Sequence, residues 1–197
     1  MEAIKQLDNI YEIIPHDKGS ILLVHAGLKP SALFVVEGEV FQDKDSVVHV
    51  LPELIETIQT VLFDLSLTHV MTTEIMDAHE EGSFVEVLRF FIAQDPSAAE
   101  KLKQLFDGVS ANHKEIGELL GYPQTAVDVF LTDEMLEQSD VPESTEEVSK
   151  LNMRLLGHRL SKAHWREEVK YLEESGNYIK SVSPAIYDAI TQENEAY

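Results

Sequence analysis

Residues 21–41 read ILLVHAGLKPSALFVVEGEVF and contain two short apolar runs, at 21–26 and 32–41. Runs of this length, rich in β-branched and aromatic residues and bounded by turn residues, are typical of strands. Gly27 and Pro30 lie between the two runs and supply turn residues. The stretch therefore predicts two strands, and a hairpin is one way to join them.

The segments around this stretch predict the rest of a small sheet and its helices. Residues 3–14 have apolar side chains at helical spacing, so we expect a short amphipathic helix that stops near Pro15. Further along, β-branched runs alternate with helical spacing, which predicts a third strand at 46–50, a helix at 54–65 and a fourth strand at 68–76. All predicted strands thus fall within residues 1–81.

Residues 82–197 are predicted to be helical because capping residues precede apolar patterns of helical spacing. Four capping side chains stand three residues before a carboxylate: Ser83 before Glu86, Ser97 before Glu100, Asn112 before Glu115, and Ser144 before Glu147. Ser183 followed by Pro184 marks another helix start. The predicted helices are 84–94, 98–107, 113–120, 123–131, 145–173 with a break at Gly157, and 184–193, with a polar linker at 138–144.

These patterns together predict an α+β, mostly helical fold. A small N-terminal sheet with helices, residues 1–81, is followed by a helical bundle, residues 82–197, and we expect the two parts to pack as one compact unit. With 197 residues, of which 44% are hydrophobic, the chain is long enough to bury a substantial core.

The composition predicts a strongly acidic, soluble protein of the cytoplasm. The chain has 36 Asp and Glu against 15 Lys and Arg, a formal net charge of −21. Such a charge repels nucleic acid and anionic membrane surfaces. The absence of Cys excludes disulfides and thiolate chemistry, and no apolar run approaches the ~20 residues that span a bilayer. We therefore expect neither nucleic acid nor a membrane as a partner.

Residues 113–131, HKEIGELLGYPQTAVDVFL, predict two short helices joined by a Gly-Tyr-Pro turn. The spacing of their apolar residues resembles the helix-turn-helix units of transcription regulators. Binding in a DNA groove needs cationic or amide side chains at the start of the second helix. Here the projecting residues are Gln124, Thr125 and Asp128, and a carboxylate would oppose phosphate. A helix pair that only packs is thus the first interpretation, and a helix-turn-helix regulator is a lesser one.

Residues 117–130, GELLGYPQTAVDVF, also resemble the G-x-LLGYP segment of a prokaryotic domain family of unknown function. In that family a short helix ending in an aromatic residue follows the turn, and Cys residues often follow the Pro, where this chain has Gln, Thr and Ala. The resemblance implies a related fold and no mechanism. Tyr122 is held between Gly and Pro, so its hydroxyl can face a cleft and bind a ligand, or it can cap the core.

Residues 150–170 contain six of the fifteen basic residues. Together with His158, five of them form a row at intervals of four residues that winds through roughly 200° around the predicted helix. Such a segment attracts a small anionic ligand, an acidic protein partner or the protein's own carboxylates. Trp165 either anchors this helix or offers a stacking surface. The predicted ligand-binding residues are Tyr122, Lys150, Arg154, His158, Arg159, Lys162, Trp165 and Arg166.

The motifs of several well-known enzyme and metal sites do not occur in the sequence. There is no HExxH, no G-x-S-x-G and no Gly-rich phosphate loop, so we predict no metal and no cofactor and leave catalysis open. His25, His49 and His69 lie in or beside predicted strands and would converge at one sheet edge if those strands pair.

We therefore predict a binding protein that recognises an acidic partner or a small anionic ligand through its basic helix. The alternative is an enzyme with a His-containing site between the sheet and the helical part. A third possibility is an acidic mimic of nucleic acid, because 36 carboxylates could occupy the groove of a basic protein.

Overall fold

The structure, a computed structural model, describes residues 2–43, 47–78, 82–108, 112–135 and 160–192. These residues form eight helices and one three-stranded antiparallel sheet, so the predicted α+β, mostly helical fold is confirmed. In chain order the elements are α1 (Glu2–Asp8), α2 (Pro15–His25), β1 (Ser31–Phe41), α3 (Pro52–Asp64), β2 (Thr68–Asp77), β3 (Phe84–Ala93), α4 (Pro96–Asp107), α5 (His113–Leu119), α6 (Gln124–Val129), α7 (Trp165–Val182) and α8 (Pro184–Gln192).

The sheet has the strand order β1-β3-β2, and both neighbouring pairs are antiparallel. β2 and β3 are consecutive in the chain, whereas β1 pairs with β3 across α3 and β2. A register shift between Glu37 and Val40 places a bulge in β1. The boundary predicted between residues 81 and 82 passes through this sheet, since its outer strands precede residue 82 and its central strand follows it.

The prediction of a helix at 84–94 is wrong, because these residues form the central strand β3. Both of its faces are covered. Phe90 stacks on Phe34 of β1 with 4.8 Å between ring centroids, and Phe91 contacts Phe106 of α4 at 5.8 Å. A strand that is buried on both faces shows no alternation of polar and apolar residues, and its β-branched and aromatic composition then remains as the signal.

Ser83 and Glu86 consequently do not cap a helix. Glu86 is buried on β3, where its two carboxylate oxygens hydrogen-bond His49 Nδ1 at 2.8 Å and the backbone amide of Val50 at 2.6 Å. These bonds fix the segment 47–50 beside the sheet. That segment was predicted to belong to a third strand, but residues 47–50 form none.

The predicted strand at 21–26 is also wrong, because this run is the second half of α2. Pro15 opens the helix at its first turn. Ile21–Val24 are all fully buried, so the run has no polar side from which a helical period could be recognised. The helix predicted at 3–14 is shorter than expected and ends at Asp8.

The remaining helices were predicted with partial success. α3, α4, α5, α6 and α8 lie close to their predicted ranges, but Asp95 rather than Ser97 caps α4. Asn112 accepts a hydrogen bond from the backbone amide of Glu115, as expected of a capping pair. α7 was predicted to end at residue 173 and instead runs from Trp165 to Val182. The linker 138–144 and the Ser144 cap lie outside the described residues.

The main hydrophobic core lies between one face of the sheet and the helices α1, α2, α3, α7 and α8. α2 passes very close to the last two helices, because a Cβ on Gly19 would lie 2.9 Å from Ile190 Cδ1 and 3.2 Å from Ile179 Cδ1. α4 covers part of the other face of the sheet through Phe106. Among the described helices, none is long and apolar enough to cross a membrane.

Candidate functional site

Three segments that are distant in sequence meet beside α2: the turn at 27–31, the α5–α6 turn at 119–123, and α7. Ser31 Oγ donates a hydrogen bond to the carbonyl of Leu119 at 2.6 Å. The hydroxyl of Tyr171, on α7, lies 3.0 Å from the carbonyl of Gly121 and 3.2 Å from that of Leu28. The Gly-Tyr-Pro turn is therefore attached both to the turn after α2 and to α7.

Gly121 allows this close approach. Its φ is +74°, in the left-handed region that favours glycine. A Cβ at this position would lie 2.8 Å from Pro30 Cδ and 3.3 Å from Lys29 Cα. The Gly-Tyr-Pro turn thus packs directly on Lys29 and Pro30, and this contact places the Tyr122 ring near the Lys29 side chain.

Lys29 is the unusual residue of this junction. It is only 5% exposed, yet its Nζ makes one long contact, 3.4 Å to Ser20 Oγ, and lies 6.0 Å from the centroid of the Tyr122 ring. Within the part of the chain that the structure describes, its ammonium has no other polar contact. An ammonium carries three donors, and buried polar groups are nearly always hydrogen-bonded. Lys29 is therefore a buried cation with little local compensation.

The groups around Lys29 have pKa values consistent with this burial. Desolvation lowers the pKa of Lys29 to about 8, and the charge of Asp17 opposes that shift. Burial, together with the charge of Lys29, lowers the pKa of His16 to about 4. Burial also raises the pKa of Tyr122. At neutral pH, Lys29 is mostly a cation with roughly one amine in ten, while His16 is neutral and Tyr122 is protonated.

We refer to Lys29, Ser20, His16, Asp17 and Tyr122 as the Lys29 niche. His16, Asp17 and Tyr122 are partly exposed, whereas Lys29 and Ser20 are buried. The ammonium therefore lies beneath side chains that reach solvent.

Tyr122, which we predicted to bind a ligand, lies in this niche. The other predicted residues within the described part of the chain lie around the start of α7. Arg166 is exposed and stacks on Trp165, with 4.3 Å from its guanidinium carbon to the ring centroid. Lys162 hydrogen-bonds the carbonyl of Asp133 through its Nζ. The predicted residues Lys150, Arg154, His158 and Arg159 lie outside the described residues.

The helix predicted at 145–173, with a break at Gly157, is confirmed from Trp165 onward and wrong over residues 160–164. Residues 160–164 are not helical, and Ser161 instead forms an isolated β-bridge with Met135. Lys162 therefore precedes α7, while Arg166 and Lys170 lie one turn apart on it. The basic side chains from residue 162 onward are thus divided between an irregular segment and a helix.

The three His proposed for an enzyme site do not converge. His49 binds Glu86, near the start of β3, whereas His69 lies opposite Ile92, near the end of the same strand. Six residues of strand separate these positions, a distance of roughly 20 Å. His25 Nδ1 hydrogen-bonds the carbonyl of Leu65 at 2.7 Å. Within the described ranges, no group of three or more His, Asp or Glu could hold a metal ion.

Glu168 is a second buried charge close to the same turn, and its environment differs completely. Its carboxylate, on α7, is 1% exposed and accepts hydrogen bonds from Thr125 Oγ1 at 2.6 Å, Ser161 Oγ at 2.6 Å and the Ser161 amide at 2.7 Å. These bonds tie α6 and the segment before α7 to α7 itself. Glu168 is therefore a structural residue.

Sequence reasoning missed four members of the niche: Lys29, His16, Asp17 and Ser20. In the sequence, Lys29 is a single cation in the turn GLKPS, and nothing in that turn marks it as buried. His16 and Ser20 stand four residues apart, but the second half of α2 was predicted to be a strand, so they were not placed on one helix face. Tyr122 was the only member of the niche that its local sequence indicated.

No known family model matches the chain, and no curated protein or solved structure shows significant similarity to it. The kinship suggested by residues 117–130 stays a prediction.

Proposed function

We propose that this chain is a binding protein for a small anionic ligand and that Lys29 provides the opposing charge. The observation that carries the proposal is the buried ammonium, which has a single 3.4 Å contact to Ser20 Oγ. A buried charge with so few partners destabilises the folded protein, and a bound anion would remove this penalty by accepting its hydrogen bonds.

The rest of the niche suits an anion better than a cation. The Lys29 ammonium and the Ser20 hydroxyl both offer hydrogen-bond donors, and Tyr122 remains protonated at neutral pH because burial raises its pKa. A chain with a formal net charge of −21 repels anions over much of its surface. A cation that is shielded from that field by burial gives a small anion a local site.

An acidic protein partner at the start of α7 is the second candidate. The exposed Arg166 stacks on Trp165 and, among the described residues, forms no ion pair. This pair, with Lys162 and Lys170, belongs to the described part of the basic surface predicted between residues 150 and 170. Substitution of Arg166 by Glu would weaken such an interaction and leave the Lys29 niche intact, so the two candidates can be separated.

The experiment for the first candidate measures thermal unfolding and calorimetric binding with phosphate, acetate and L-lactate as probes. A ligand at 100 times its dissociation constant stabilises a protein by about 2.7 kcal/mol, and we expect at least one probe to raise the melting temperature. Lys29→Met should abolish this shift.

The matched control is Lys18→Met, which removes a second buried lysine, on α2. Lys18 Nζ donates to the carbonyl of Asp8 at 2.7 Å, so it already has a partner outside the niche. Circular dichroism would establish that both variants fold. If Lys29→Met still responds to the probes like the parent protein, or if no probe stabilises the parent, the proposal is wrong.

A further inference from the structure

We propose that Lys29 is also a covalent site, at which its side-chain nitrogen condenses with the carbonyl group of a small 2-oxo acid to form an imine. This inference rests on the proposed function, because the carboxylate of the oxo acid is the anion that the niche would recognise. It adds a reaction and a substrate class to the binding site.

The geometry around the nitrogen supports imine formation. Lys29 Nζ lies beneath the Tyr122 ring and 3.4 Å from Ser20 Oγ, in a position where the hydroxyl can exchange protons with groups on the nitrogen. Exclusion of water from a lysine is a common way to produce a reactive amine, since burial disfavours the charged form.

Burial also increases the amount of free amine. The pKa of Lys29 is lowered to about 8 from the ordinary 10.5. About one molecule in ten then carries the free amine at neutral pH, against roughly one in three thousand for an ordinary lysine. The groups that set the ratio of free amine to ammonium at Lys29 are Asp17 and His16 on α2 and Tyr122 in the α5–α6 turn.

The reaction needs no further reagent. The ammonium first releases a proton to solvent, and the amine lone pair attacks the carbonyl carbon while the carbonyl π pair moves to oxygen. Proton transfer gives a carbinolamine, and its hydroxyl leaves as water when the C=N bond forms. In balance, one ammonium and one ketone give one protonated imine and one water, without oxidation or reduction.

Asp17 favours this product over a carbamate. Addition of carbon dioxide would convert the lysine into an anion, and the negative charge of Asp17 would repel it. A protonated imine keeps the positive charge on the nitrogen, and Asp17 stabilises it. The carboxylate of a 2-oxo acid lies next to its carbonyl carbon, so the Lys29 ammonium attracts the ligand and the same nitrogen, once it has lost a proton, reacts with it.

The test is reduction with sodium borohydride in the presence of pyruvate, followed by peptide mass spectrometry of the full chain. Of the 11 lysines in the sequence, Lys29 should carry most of the reduced adduct. The adduct should disappear in Lys29→Met and persist in Lys18→Met. Its yield should increase with pH, with a midpoint near the Lys29 pKa of about 8. Ser20→Ala should slow trapping, because it removes the hydroxyl that exchanges protons with the Lys29 nitrogen.

Comparison with L-lactate separates this inference from the proposed function. If pyruvate and L-lactate both stabilise the parent protein but borohydride yields no adduct on Lys29, the covalent step is wrong and anion binding stands. If neither anion binds and no adduct forms, both proposals fail. Equal labelling of many lysines would likewise refute the covalent step, since it would show that Lys29 has no special reactivity.

Discussion

Glu168 and Lys29 are buried charges on either side of the Gly-Tyr-Pro turn, and they differ in how well their charges are hydrogen-bonded. Glu168 accepts three hydrogen bonds of 2.6 to 2.7 Å, whereas Lys29 makes one contact of 3.4 Å. A compensated buried charge specifies how segments pack, while an uncompensated one costs stability. Glu168 therefore serves the fold, and ligand binding by Lys29 is our proposal for the other buried charge.

The other buried charges in the described residues follow the pattern of Glu168. Glu86 binds the ring of His49 and the amide of Val50 at 2.8 and 2.6 Å, and Lys18 donates to the carbonyl of Asp8 at 2.7 Å. Of the four buried charged side chains in these ranges, only Lys29 lacks a short hydrogen bond. This exception is the physical basis of both proposals.

The largest effect is expected from Glu168→Ala, which tests the compensated member of the pair. The substitution leaves Thr125 Oγ1 and two donors of Ser161 without their acceptor, and hydrogen bonds to charged groups contribute about 1.5 to 3 kcal/mol each. We expect the free energy of unfolding, measured in urea, to fall by about 3 to 4 kcal/mol. The exposed neighbour Glu174 provides the control, and its replacement by Ala should change stability by under ~0.5 kcal/mol. If both substitutions change the free energy of unfolding equally, Glu168 does not have the structural role assigned to it.

Lys29→Met should raise the free energy of unfolding, whereas Glu168→Ala lowers it. Replacement of a poorly compensated buried charge by an apolar side chain is neutral or stabilising, and we expect a gain of about 2 kcal/mol at pH 7.

The pH dependence should distinguish a charge effect from a packing effect. The Lys29 pKa is about 8 in the folded protein and 10.5 as an ordinary lysine, so above pH 8 the unfolded chain binds more protons. The parent protein should therefore become more stable relative to Lys29→Met by up to ~1.4 kcal/mol per pH unit between pH 8 and 10. Urea unfolding of both proteins at pH 7, 8 and 9 measures this difference. If the free energies of unfolding of the two proteins change in parallel with pH, the expected charge effect is absent.

The smallest difference is expected between two glycine variants, one of which lies in the turn that holds Tyr122 over Lys29. Gly121→Ala introduces a Cβ 2.8 Å from Pro30 Cδ at a φ of +74°, whereas Gly82→Ala has a similar φ of +78° with nothing within 4 Å. Both variants should lose about 1 kcal/mol to backbone strain, and Gly121→Ala should lose about 1 kcal/mol more to the clash. It should also weaken anion binding. Identical losses in the two variants would show that the turn does not depend on this close contact.

Sequence patterns predicted the elements with one exposed face and missed those that are buried all round. α3 and α5 each show a periodic pattern because one side of each contacts solvent. β3 and the second half of α2 have almost no exposed side, so their apolar runs carry no period and were assigned to the wrong class. The fold class is nevertheless correct. The errors at 21–26 and 84–94 exchange one strand for one helix, and a three-stranded sheet forms without the strand predicted at 46–50.

The candidate site was harder to predict, for a related reason. Tyr122 could be singled out because its Gly and Pro neighbours fix the backbone locally. The state of Lys29 depends on burial by residues more than 90 positions away, in particular Gly121 and Tyr122, and on Ser20 of a helix that was read as part strand. Because these partners are distant in the chain, the sequence around Lys29 contains no pattern that would reveal its burial.

The strand order β1-β3-β2 also affects how the chain can fold while the ribosome is still making it. When residue 77 has left the exit tunnel, both outer strands have been released and neither has its neighbour in the sheet. No native strand pair can form until residues 84–93 follow, and then one segment must pair on both of its edges. The apolar faces of β1 and β2 are thus exposed together during synthesis, and a chaperone that acts on this nascent chain would meet them in that interval.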